Sequence, residues 1–124
     1  MENINISNSE WKIMQILWKN PNLTLKEIVE KLDKKKWKYS TIRTLVNRLH
    51  DKKVIAADMS GGNYKYYAII SEENCKINET INFLEKVYDG SIKMLVSAFT
   101  KESNLTKKEI KELMDIIDKM EGDR

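Results

Sequence analysis

Residues 37–53, WKYSTIRTLVNRLHDKK, constrain this chain more than any other stretch. Ile42, Leu45, Val46 and Leu49 recur at i, i+3, i+4 and i+7, which sets them on one stripe of an α-helix expected from about 39 to 53. That stripe has to be buried. The opposite side carries Ser40, Arg43, Thr44, Asn47 and Arg48, and no carboxylate interrupts it before Asp51. Hydroxyls, an amide and two guanidinium groups on one face are the chemistry that reads base edges and holds phosphates in a major groove. An ordinary solvated face on a small domain is written with the same letters. The flanking segments weigh between the two.

Before this helix, Ser7 and Glu10 have the spacing of a capping box, so a helix is expected to start there. Trp11, Met14, Ile16, Leu17 and Trp18 give it a broad apolar face up to Asn20, and Pro21 ends it. Thr24 and Glu27 repeat the box ahead of a short second helix with Leu25, Ile28, Val29 and Leu32. Lys34, Lys35 and Lys36 form a basic connector. After the third helix the period changes. Residues 54–59 and 64–70 are predicted as strands joined by a tight turn, Ser60, Gly61, Gly62 and Asn63, able to take positive φ. Three helices and a hairpin make the winged form of the helix-turn-helix, with the third helix in the major groove and the hairpin beside it. Lys65 and Tyr64, Tyr66 and Tyr67 either reach phosphates or line the inner face of the hairpin; for the tyrosines packing is favoured.

From residue 71 onward the pattern is helical again. Ile77, Ile81, Leu84 and Tyr88 form one stripe, which Asp89 and Gly90 stop. Ile92, Leu95, Val96 and Phe99 form a second, and a third follows a capping box at Thr106 and Glu109, with Ile110, Leu113, Met114 and Ile117 on its apolar side. Three such helices in about 50 residues enclose a poor core by themselves. Pairing with a second copy would complete it, as would folding back on the head. The predicted organisation is a DNA-binding domain over residues 1–70 and a three-helix dimerisation domain over 71–124, mostly α with one small hairpin. Two heads on one dimer suit a two-fold operator.

Charge supports the division. Residues 1–70 hold 13 Lys plus Arg against 7 Asp plus Glu, a net of +6, whereas 71–124 hold 9 against 12, a net of −3. Between positions 31 and 53 nine basic residues meet two acidic ones, so a polyanion is the expected partner of the head. His50 is the only histidine, Cys75 the only cysteine, and no spacing suits a zinc site, a phosphate-cradling loop or a nucleophile with its base. A binder with no cofactor, not an enzyme, is expected. One cysteine precludes an internal disulfide and suits a reducing compartment, where it is a small neutral side chain on a helix. No run of about 18 apolar residues could cross a membrane, and MENINISNSE lacks the basic start and apolar core of a signal peptide, so a cytoplasmic location is expected. A winged-helix module that binds protein and not DNA is the rival. Salt separates the two, since each phosphate neutralised gives a slope of roughly −0.9 in log affinity against log salt. Sensing of a small molecule between head and tail has no signature in the letters.

ISNSEWKIMQILW, TIRTLVNRL, a hairpin ending in YY, NFLEKVYDGSIKMLVSAF and LTKKEIKEL follow one another in order. Together they resemble the penicillinase repressor family, BlaI/MecI, over nearly the full length. The resemblance implies a homodimeric winged-helix repressor that binds palindromic operators ahead of antibiotic-resistance genes, those for β-lactamase or a penicillin-binding protein, and for a membrane sensor. It carries the DNA-contacting positions of the third helix to Ser40, Thr41, Arg43 and Thr44, with Arg48 further along, and the hairpin tip to residues 61–65. With the face derived above, the expected DNA-binding set is Lys38, Ser40, Thr41, Arg43, Thr44, Asn47, Arg48 and Lys65. The family commonly starts this helix with serine, proline and lysine; here stand Lys38, Tyr39 and Ser40, and the lysines at 34 to 38 supply basic charge nearby. The resemblance further implies inactivation by a membrane zinc metalloprotease that senses β-lactams, through cleavage between an asparagine and a phenylalanine in the tail. The matching pair is Ala98 and Phe99, with the phenylalanine kept and the asparagine not. The dimerisation positions are then Ile81, Leu84, Tyr88, Ile92, Leu95, Val96, Ile110, Leu113, Met114 and Ile117.

Overall fold

The computed structural model describes residues 4–102 and 105–122. Helix α1, Asn8–Lys19, starts on the predicted capping box: Glu10 N–H donates to Ser7 Oγ at 3.1 Å, and Ser7 N–H donates to Glu10 Oε1 at 3.0 Å. It closes at Asn20, just before Pro21, whose missing N–H and fixed φ would break a further turn. Helix α2, Leu25–Glu30, has the same reciprocal cap from Thr24 and Glu27. Helix α3, Tyr39–Asp51, has none, and no acidic residue lies in its first turn.

Strands β1, Ile55–Asp58, and β2, Lys65–Ala68, pair antiparallel from Ile55 opposite Ala68 to Asp58 opposite Lys65. They are shorter than the alternation predicted. Beyond the ladder, the N–H groups of Ile69 and Ile70 both turn to the Val54 carbonyl, at 2.8 and 3.4 Å, which bends the second strand out of register. The turn uses glycine where it is needed, Gly62 having φ +87°. Leu23 pairs with Tyr66 through two backbone hydrogen bonds, of 3.0 and 2.7 Å, so the segment before α2 is tied to the hairpin.

Ile13, Met14, Leu17, Ile28, Ile42, Leu45, Val46, Leu49, Val54 and Ile55 form the core. The α3 stripe is buried as predicted. On α1 the apolar face is turned from the predicted one: Ile13 is fully buried, while Trp11 and Trp18 stand half-buried at the rim, edge to face with ring centroids 5.4 Å apart. An indole is too large and too polar at its nitrogen for full enclosure here, and Trp18 Nε1 donates to the Ile70 carbonyl at 3.0 Å.

Among the described residues of the head, one charge is buried. Glu10, 2% exposed, receives Lys52 Nζ at 2.7 and 2.8 Å, and the same ammonium donates to the Asn5 carbonyl at 2.6 Å. Burial by itself raises the Glu10 carboxyl, but the hydrogen bonds from Lys52 and Ser7 outweigh it and hold the group below its ordinary 4.5. A depressed carboxyl contributes stability above its unfolded value and loses it as pH falls through the folded one. Thermal melts should therefore show the head weakening as pH drops below about 4.5. Glu10→Gln should flatten that part of the acid limb; an unchanged pH profile would contradict the role of the pair.

Helix α4, Glu72–Tyr88, is shared between two packing units, Met1–Glu79 and Thr80–Arg124. Ser71 Oγ caps its start by accepting Asn74 N–H at 3.1 Å. Within the first unit Cys75 joins the core, where burial, with Glu79 adding, pushes its thiol up to about 11. Asn78 Nδ2 donates to the Ile4 carbonyl at 2.6 Å. The helix stops where predicted, with Asp89 at φ +50° and Gly90 at +82°. The second unit continues with α5, Ile92–Glu102, and α6, Lys107–Gly122, the latter on the predicted Thr106 and Glu109 box. Among the described residues of this unit, Leu84 is the one buried hydrophobic side chain. Tyr88, Ile92, Leu95, Val96, Ile110 and Leu113 are half-buried, and Ile81 and Met114 are exposed, as are Phe83, Val87, Met94 and Ile116. The side chain of Ile117 lies outside the described residues. Ala98 is half-buried and Phe99 exposed on α5. Among the described residues no helix is long and apolar enough to cross a membrane, and no group of three or more His, Cys, Asp or Glu could hold a metal ion.

Candidate nucleic-acid interface

Because Ile42, Leu45, Val46 and Leu49 anchor one side of α3, the helix cannot roll, and its other side is fixed outward. Ser40, Thr41, Arg43, Thr44, Asn47 and Arg48 are all exposed, as are Lys38 at its N-cap and Lys65 on β2. Among the described residues, neither Arg43 nor Arg48 lies within ion-pair distance of a carboxylate. Lys65 differs. Its ammonium helps hold the Asp58 and Glu27 carboxyls low, after hydrogen bonds from Ser60 and Thr24 respectively, so part of its field is spent inside the head. Thr44 Oγ1 donates its proton to the Ser40 carbonyl at 2.9 Å. That hydroxyl therefore turns an acceptor and a methyl group outward, and no donor.

Between α2, α3 and the hairpin runs a groove of about 620 Å³ whose lining includes Lys26, Tyr39, Arg43, Asn47, Tyr64 and Tyr66. Tyr39, Arg43 and Asn47 follow at i, i+4 and i+8 and so form one edge of the helix. No aspartate or glutamate lines the groove. Of the three hairpin tyrosines, Tyr66 packs against the core as predicted, and burial raises its phenol above 10.0, with Tyr64 adding and Arg43 opposing. Tyr67, 37% exposed, does not pack in that way, since the strand alternation sends it to the other face, and Tyr64, 57% exposed, lies before the strand begins. Tyr39 and Lys26 were not singled out from the sequence. The available signal for Tyr39 was its spacing of four from Arg43.

A three-helix head with a two-stranded hairpin, whose third helix buries one stripe and turns a basic, hydrogen-bonding face outward, defines the winged helix-turn-helix class of DNA-binding proteins. Residues 6–119 match the family model described as Penicillinase repressor. The chain is 39% identical to a penicillinase repressor of Staphylococcus aureus over 92% of its own length and 91% of the relative's. It is 35% identical to the methicillin resistance regulatory protein MecI of Staphylococcus aureus strain N315, over 92% and 94%. Its head resembles the monomeric form of Bacillus licheniformis BlaI, solved in solution in complex with the blaP half-operator. That likeness has a TM-score of 0.51 and 27% identity, and covers 59% of this chain and 90% of that one. The chain belongs to the penicillinase repressor family, BlaI/MecI, a family of transcriptional repressors and not of enzymes.

Proposed function

We propose that this chain is a homodimeric repressor of a β-lactam-resistance or related cell-envelope operon, acting in the cytoplasm on a palindromic operator. A head, residues 1–70 with the start of α4 packed onto it, contacts DNA, and the remaining helices join two heads. The observation that carries this reading is the outer face of α3, which holds no carboxylate before Asp51, is fixed outward by four buried side chains and bears two arginines without acidic partners among the described residues. Relatives named for penicillinase repression and methicillin-resistance regulation, and the half-operator complex of BlaI, support the choice of DNA and of regulated gene class. Contacts are assigned to Lys38, Ser40, Thr41, Arg43, Thr44, Asn47, Arg48 and Lys65.

Dimerisation is assigned to the tail positions Ile81, Leu84, Tyr88, Ile92, Leu95, Val96, Ile110, Leu113, Met114 and Ile117. The exposed apolar side chains of the second unit support this, because a soluble monomer seldom leaves so many unpaired on so few residues. Inactivation is assigned to a cut between Ala98 and Phe99, triggered by a membrane metalloprotease that senses β-lactams. Such a cut severs α5, which carries Ile92, Leu95 and Val96.

Arg43→Ala should weaken operator binding by roughly 1–3 kcal/mol if it contacts a base, more for the operator than for unrelated DNA. Lys35→Ala should weaken all duplexes about equally and lower the salt slope by about 1 for each protomer bound. Fluorescence anisotropy on both duplexes reads each effect. Unchanged binding by Arg43→Ala would remove α3 from the reading role.

A further inference from the structure

The groove beside α3 adds something that the outer face does not explain. Its open side is flanked by two exposed phenols from separate elements, Tyr39 at the first position of α3 and Tyr64 before β2, which are 54% and 57% exposed. Arg43 lies one turn from Tyr39, and Lys26 reaches the groove from α2. The polar groups of its lining are phenols, a guanidinium, an ammonium, amides and the Thr24 hydroxyl, which is engaged by the Glu27 carboxylate at 3.0 Å; no carboxylate belongs to the lining itself. Phenol O–H groups beside cations suit a phosphate oxygen, which accepts hydrogen bonds and carries charge. The groove is also continuous with the outward face of α3, since Arg43 and Asn47 belong to both.

We propose that this groove seats one phosphodiester of the operator strand in each half-site, with Tyr39 and Tyr64 donating their phenol protons to its oxygens and Lys26 and Arg43 supplying the charge. The assignment rests on the reading of α3 as a DNA-contacting helix. It makes Tyr39 a positioning residue in this chain: the contact carries no sequence information itself but sets the register in which α3 meets the bases. Thr44, whose hydroxyl proton is engaged by the Ser40 carbonyl, cannot take over this donor role.

The test uses the full chain with two duplexes, its own upstream palindrome and an unrelated sequence of equal length, at several salt concentrations. Tyr39→Phe and Tyr64→Phe keep the ring and remove only the donor. Each should weaken both duplexes about tenfold for each protomer bound, the size of a lost hydrogen bond to a charged group. Lys26→Gln should lower the slope of log affinity against log salt by about 0.9 for each protomer bound. Neutral methylphosphonate linkages, placed one at a time along the palindrome, should reveal one position per half-site where Tyr39→Phe has no further effect. Wild-type affinity in both Phe variants would overturn the proposal. So would impairment of Tyr39→Ala alone with Tyr39→Phe intact, because the ring and not the phenol would then be at work. A wild-type chain that binds neither duplex would overturn both this seat and the DNA-binding reading, whereas a wild-type chain with steep salt dependence and normal Phe variants would overturn the seat alone.

Discussion

Truncation after Ala98 is expected to leave a chain that sediments mainly as a monomer and binds a two-half-site operator roughly 10²–10⁴-fold more weakly than the intact chain. The cut removes the exposed Phe99 and all of α6, with Ile110, Leu113 and Met114. What remains of the second unit is one buried hydrophobic residue, Leu84, the half-buried Tyr88, Ile92, Leu95 and Val96 on a shortened α5, and exposed ones such as Ile81, Phe83 and Val87, without the α6 stripe that would complete a core between two copies. Each head would still meet its half-site. The loss comes from effective concentration: in a dimer the second head binds from a tethered position, and in a monomer it binds from bulk solution. Analytical ultracentrifugation of the truncated chain, followed by anisotropy on full and half operators, reads both parts. Full-operator affinity should fall while half-operator affinity stays near that of the intact chain, and a stable dimer after truncation would contradict the switch.

Leu49→Ala is expected to destabilise the head by about 2–5 kcal/mol, a large share of the roughly 5–15 kcal/mol that holds a small domain together. Leu49 is fully buried in the core formed by α1, α3 and the hairpin, and close-packed interiors relax only partly around a removed side chain. The substitution should also loosen α3 in its seat, so that operator binding falls as the folded fraction falls. Asn47→Ala, on the opposite side of the same helix, is exposed and should leave the denaturation midpoint within about 0.5 kcal/mol of wild type. Urea titration of both variants separates burial from contact. A loss below about 1 kcal/mol for Leu49→Ala would mean that the stripe does not anchor the helix.

Periodicity carried the architecture. The stripe at 42, 45, 46 and 49, three capping boxes and the glycine turn placed α1, α2, α3, α6 and the hairpin, because each depends on spacings of three or four residues within one segment. What depends on long-range packing was not visible in the letters. Ile13 displaced Trp11 and Trp18 from the centre of the core, a choice set by the space between α1 and α3 and by a carbonyl waiting for the Trp18 indole at Ile70. The Glu10–Lys52 pair joins residues 42 apart, so its glutamate read only as half of a cap. The outer face of α3 was likewise readable from spacing. The groove at its edge was not, because Tyr64 and Lys26 come from other elements. The engaged hydroxyl of Thr44 also needed coordinates, since a threonine in a helix is free to bond backward or outward.

A titration of the intact chain against the DNA upstream of its own gene, with unrelated DNA as competitor and at two salt concentrations, tests the role of α3 most directly. Binding that resists the competitor and falls steeply with salt is the expected result for a repressor that neutralises several phosphates and reads bases. Binding that is absent or insensitive to salt would contradict it, and would make the basic face a surface for a protein partner.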